Sequence, residues 1–107
     1  MKYVIDIDGT ICDKHRDQDY NRSFPYPRRI AKINELYDEG NQIVYYTARG
    51  MGRNNNNAAL AIEEFYSLTE KQLKEWGAKY DQLILGKPSA DVYVDDKGIS
   101  DGNFFGD

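Results

Sequence analysis

The chain has 107 residues, 40 % of them apolar and 30 % charged, and a formal net charge of −4. These values describe one ordinary globular domain and exclude nucleic-acid binding by phosphate neutralisation, which needs a basic face. A lone cysteine, Cys12, excludes an intrachain disulfide and suits a reducing cytoplasm, while the N-terminal apolar stretch, broken by Asp6 and Asp8, has neither the cleavage pattern of a signal peptide nor the length of a membrane span.

Lys2 to Ile7 is the first predicted strand, and it runs into two carboxylates, Asp6 and Asp8, followed by Gly9-Thr10. An ionised carboxylate at the end of a buried strand loses hydration unless a cation or donor compensates, so the pair points to a metal-assisted centre. Asp13 to Tyr26 is a polar loop bordering that motif, and a functional role outweighs a merely connecting one there. Its His15, the sole histidine, reads as a surface residue because magnesium prefers oxygen. Cys12 reads as a small packed side chain, since no histidine stands at a spacing that suggests a catalytic pair.

Pro27 to Glu39 is a predicted helix, with Ile30, Ile33, Leu36 and Tyr37 on one face, Pro27 in the first turn and Gly40 at the stop. A second strand, Gln42 to Tyr46, delivers Thr47. The asparagine run 54–57 reads as a loop whose end caps the next helix. That helical region is Ala58 to Trp76, with a break expected at Ser67 to Thr69, where Ser67-x-x-Glu70 has the form of a capping box, and with Gly77 as its end. Phe65, Tyr66 and Trp76 fall at core spacing. Strands follow at Gln82 to Leu85, leading into Gly86-Lys87-Pro88, and at Asp91 to Val94, delivering Asp95-Asp96. The order predicts one α/β domain over residues 1–107: an open parallel sheet with helices on both faces and no large cap domain.

In such a sheet the C-terminal strand ends lie side by side and open into the ligand crevice. Asp6, Asp8, Thr47, Lys87, Asp95 and Asp96 should therefore converge. The set meets the needs of phosphoryl transfer through an aspartyl phosphate. A carboxylate attacks phosphorus only when its repulsion with the phosphate is cancelled, which calls for Mg²⁺ on oxygen ligands, with Asp6 and Asp95 suited to the cage. Asp8 suits the acid/base step. Gly9 permits a sharp turn that presents backbone N–H groups to phosphate, and Thr47 and Lys87 supply a hydroxyl and a positive charge.

Asp6-Ile7-Asp8-Gly9-Thr10, then Thr47, Lys87 and Asp95-Asp96 in order, resembles the four motifs of the haloacid dehalogenase (HAD) superfamily of phosphohydrolases. The resemblance implies Asp6 as nucleophile, Asp8 as acid/base and, through its carbonyl, a metal ligand, Thr47 and Lys87 as phosphate binders, and Asp95, with Asp96 beside it, at the metal. Gly9, Thr10, Ala48 and Arg49 fall on the substrate side. An aspartate at position 8 implies phosphatase or phosphotransferase chemistry rather than dehalogenation or ion pumping. Thr47-Ala48-Arg49-Gly50, the asparagine run and Val94-Asp95-Asp96-Lys97-Gly98 are similar to small phosphatases of capsule and surface-polysaccharide biosynthesis, which implies a sugar or polyol phosphate as substrate.

Without a cap, the lid over the crevice is expected from the loops 13–26 and 49–57, with Arg49 or Arg53 meeting an anionic group, or from a neighbouring subunit of a homo-oligomer. An open site taking bulkier phosphates is the alternative. Two other readings stand beside the enzyme: a phospho-accepting signalling module, whose acceptor would follow a middle strand rather than the first, and a catalytically idle subunit that binds a partner enzyme.

Overall fold

The computed structural model describes residues 1–14 and 19–107, so His15 lies outside the described residues. Its elements are β1 (Lys2–Ile5), α1 (Pro27–Asp38), β2 (Gln42–Thr47), α2 (Ala58–Glu75), β3 (Gln82–Leu85) and α3 (Asp101–Phe105), with a 3-10 turn at Tyr20–Arg22 before α1. The strands form a parallel sheet in the order β1-β2-β3, with Ile5 opposite Tyr45 and Tyr45 opposite Leu83. The α/β open parallel sheet with three helices and no large cap is the one the sequence pattern predicts, with the helices, expected on both faces, packed against one core cluster. No helix among the described residues is long and apolar enough to cross a membrane.

Alternation along each strand sends Ile5, Ile43, Tyr45, Leu83 and Leu85 to one face, where they meet Ile30 and Ile33 of α1 and Phe65 and Leu73 of α2. Burying that many large apolar side chains, at about 1.5–3 kcal/mol each, is the main favourable term of the fold. On the opposite face Val4 is 60 % exposed and Ile84 42 %.

Local chemistry sets the boundaries. Pro27 opens α1 with its φ already helical, and Gly40 ends it at φ +96°. The Asn57 side chain accepts the Leu60 N–H and caps α2, as the asparagine run suggests. The break expected at Ser67 to Thr69 is absent. Phe65, Thr69, Gln72 and Leu73 all lie buried on the inner side of α2, and a break would take one half of that stripe off the sheet. β1 stops at Ile5 because the Ile7 carbonyl accepts the N–H groups of Thr10 and Ile11, turning the chain out of the sheet.

The fourth expected strand does not form: residues 91–100 are all exposed and pair with no strand. Only residues 86–90 separate it from β3, whereas a parallel neighbour needs a crossover of a dozen or more residues. The chain instead continues as an extended arm, residues 86–100, into α3, a helix that the sequence reading missed.

α3 is clasped to α1. Arg29 pairs with Asp101 and Asp107, each at 2.7 Å, Lys32 Nζ donates to the Phe104 carbonyl at 2.8 Å, and Phe104 meets Tyr3 edge-on. Arg29 holds both carboxyls below the usual carboxylate range. A depressed acid stabilises the fold above its unfolded pKa and loses that contribution as pH falls through the folded one. Arg29→Ala is therefore expected to weaken hydrogen-exchange protection of α3 at neutral pH, with the difference from wild type closing in acid.

Candidate active site

The chain leaves β1 through a tight turn. Gly9 sits at φ +83°, where an L side chain is strained, and its N–H donates to the Cys12 carbonyl at 2.9 Å. The Thr10 N–H goes to Ile7 O, and the Thr10 hydroxyl donates to Asp6 Oδ2 at 3.3 Å. Gly9 and Thr10 therefore shape the loop and orient Asp6. Their own N–H groups are both engaged within the turn.

Asp6, Asp8, Thr47, Ala48, Arg49 and Lys87 line a cleft of about 490 Å³ at the C-terminal strand ends. Lys87 Nζ stands 3.6 Å from Asp6 Oδ1 and 4.4 Å from the centre of the Tyr93 ring, which shares the lining. Thr47 is buried. Its Oγ1 accepts the Arg49 N–H at 3.2 Å, leaving the hydroxyl hydrogen free to donate, and its carbonyl accepts the Lys87 N–H. One backbone hydrogen bond thus sets Thr47 and Lys87 side by side at the cleft.

Burial pushes the Asp6 carboxyl above its usual value, against the pull of Lys87 and of the Ile7 N–H. A raised acid binds its proton more tightly folded than unfolded, so stability falls as pH climbs from the ordinary carboxylate range through the raised value. In metal-free buffer Asp6→Asn is expected to melt above wild type at neutral pH, with the two curves meeting at low pH where Asp6 is protonated. A wild-type chain that melts higher than Asp6→Asn at neutral pH would show that Lys87 outweighs desolvation.

Asp8 is held differently. Arg49, 1 % exposed, donates from Nε to Asp8 Oδ2 at 2.9 Å and from Nη2 to Oδ1 at 3.0 Å. Its remaining hydrogens reach Ser23 Oγ, Thr69 Oγ1 and, at 2.6 Å, Gln72 Oε1, while the Tyr20 ring covers its face at 4.8 Å. All five guanidinium donors are occupied. Arg49 is thus the anchor of Asp8, which corrects its expected role as a substrate clamp. Arg53 does not serve that role either: it pairs with Glu64 at 3.0 Å and lies over Phe65.

The Cys12 thiol donates to Asp8 Oδ1 at 3.5 Å, and burial with the nearby Asp8 charge pushes its pKa up to about 12. It is a packed, unreactive thiol at neutral pH, as expected from the sequence.

Sequence reasoning missed the Arg49–Thr69–Gln72 network. The signal was present, because Thr69 and Gln72 interrupt the apolar stripe between Phe65 and Leu73, and a polar residue in such a stripe needs a buried partner.

Asp95 and Asp96 do not join the cleft lining. Asp95 is exposed, and its carboxylate accepts the N–H groups of Lys97, at 2.7 Å, and Gly98, which hold it below the usual carboxylate range. Among the described residues no three of His, Cys, Asp or Glu are grouped to hold a metal ion. The expected cage of Asp6, Asp8, Asp95 and Asp96 is therefore not assembled within one chain. Asp6 lies beside a lysine and Asp8 beside an arginine, and a complete Mg²⁺ cage does not fit these residues as they stand.

No family model matches the chain, and no curated protein does. Among solved structures it is similar to the crystal structure of an MCSG target from Vibrio cholerae, with TM-score 0.88 and 26 % identity, over 97 % of this chain and 86 % of that one.

Proposed function

We propose that the chain is a HAD-type phosphomonoester hydrolase acting on a small ester, with sugar and polyol phosphates as the substrate class. The observation that carries this reading is the setting of Asp6: a carboxylate on a polar cleft, oriented by Thr10, with an ammonium 3.6 Å away and a second carboxylate two residues on. A cleft of about 490 Å³ suits a small ester.

In this mechanism Lys87 and the Thr47 hydroxyl hold the phosphoryl oxygens. An Asp6 oxygen attacks phosphorus while the bond to the leaving oxygen breaks, and Asp8 gives that oxygen its proton. Water then attacks phosphorus, the bond to Asp6 breaks, and Asp8 takes the water proton back. Arg49 keeps the Asp8 carboxylate aimed through both halves.

A panel of sugar, polyol and nucleotide monophosphates, assayed for phosphate release with Mg²⁺ present, tests the reading. Release from at least one small monoester is expected. Silence across the panel, from folded protein, counts against hydrolysis.

A further inference from the structure

The sheet and the arm are each incomplete. Among the described residues nothing pairs with the outer edge of β1, and parallel strands are normally flanked and covered. The arm carries a β-prone stretch, Asp91-Val-Tyr-Val-Asp95, whose Val92 is 73 % exposed and Val94 90 %. A strand laid parallel on β1 with Val94 opposite Ile5 brings Asp95 level with Asp6, at the edge where Asp6 and Asp8 emerge. That single addition would cover the open edge, bury the valines and supply the missing carboxylate.

The arm cannot reach that place on its own body. Leu85 is level with Thr47 on β2, two residues beyond the pairing of Ile5 with Tyr45. From there to the foot of a strand outside β1 is three strand spacings across and about five residues down, roughly 22 Å in a straight line. The six residue steps from Leu85 to Asp91 span at most roughly 20–22 Å fully extended, with nothing left to climb over the sheet. The free length is shorter still, because the Lys87 N–H is bonded to Thr47 O and the Ser89 N–H to Asn56 Oδ1. A second copy has no such limit.

We propose that two copies of this chain exchange arms, each laying Asp91 to Val94 along the partner's β1 and donating Asp95 to the partner's Asp6–Asp8 cleft, where Asp6 and Asp95 then take Mg²⁺ between them while Arg49 keeps the Asp8 carboxylate. α3 follows its arm and makes the same clasp on Arg29 of the receiving body, as an exchanged element does. The Asp95 role rests on the phosphatase reading; the exchange itself does not.

Light scattering should give wild type at least the dimer mass, and Val94→Lys, which alters a side chain exposed in the single chain and buried only by the exchange, should shift it to monomer. Co-expressed Asp6→Asn and Asp95→Asn chains should then recover roughly a quarter of wild-type phosphate release and of the Mg²⁺-induced rise in melting temperature, because half of the sites in a mixed dimer are intact and random pairing makes half of the dimers mixed. A monomeric, Mg²⁺-responsive wild type overturns the exchange while leaving hydrolysis standing. A mixture no better than its parents also overturns it. A dimer whose Mg²⁺ response is restored by mixing, yet which hydrolyses no ester, keeps the exchange and removes the phosphatase reading.

Discussion

Asp6→Asn is expected to lower phosphate release by on the order of 10³-fold or more, because the neutral amide cannot attack phosphorus while the rest of the cleft stays in place. Asparagine preserves the shape of the side chain and can still accept from the Thr10 hydroxyl. The fold should persist, and the loss should appear in kcat rather than in the melting curve. Asp8→Asn should also be slow, but for a different reason: acyl-phosphate formation and hydrolysis each lose their proton carrier. Steady-state rates of the two variants beside their melting temperatures separate chemistry from unfolding. An Asp6→Asn protein with near wild-type turnover removes Asp6 from the reaction.

The second large effect concerns stability. Arg49→Met takes away all five donors of a buried guanidinium and leaves the Asp8 carboxylate, Gln72 Oε1 and Thr69 Oγ1 without their partner. Removing one member of a buried ion pair typically costs about 3–5 kcal/mol, a large share of the roughly 5–15 kcal/mol that holds such a domain folded. The urea midpoint should fall accordingly. Arg49→Lys should recover only part, since one ammonium cannot span Asp8 and Gln72 together. Combining Arg49→Met with Asp8→Asn should cost less than the sum of the single changes, because the charge left stranded is then gone. A loss under about 1 kcal/mol for Arg49→Met would mean that water replaces the guanidinium and that the network is not structural.

These two residues also mark how far the sequence could be read. The strands and helices of the sheet were legible because short apolar runs alternate with an amphipathic period, and Pro27, Gly40 and Asn57 punctuate them. Asp6, Asp8, Thr47 and Lys87 were legible as a site because each follows a strand, and parallel strands end together. The structure brings those four to one cleft.

What failed depended on tertiary competition or on reach. Ser67-x-x-Glu70 has the local form of a cap, yet the core stripe on either side of it keeps α2 whole. Arg49 looked like a surface clamp because its acceptors lie as far off in sequence as Asp8 and Gln72. The apolar run at Asp91 to Val94 has strand composition but too short a connection from β3 to join its own sheet. α3, five residues with a glycine inside, offers no period to detect, and it is held by Arg29 and Lys32 from far along the chain.

The most direct test of the central claim is a rapid acid quench of Asp8→Asn turning over a monoester labelled in its phosphoryl group. With an aryl ester, whose leaving oxygen needs no proton, the acyl phosphate forms without Asp8 while its hydrolysis still lacks the base, so the label should accumulate on the peptide that contains Asp6, be released by hydroxylamine, and be absent from the Asp6→Asn, Asp8→Asn double variant. Label found on another residue, or wild-type phosphate release with no protein-bound label in any variant, would contradict nucleophilic attack by Asp6.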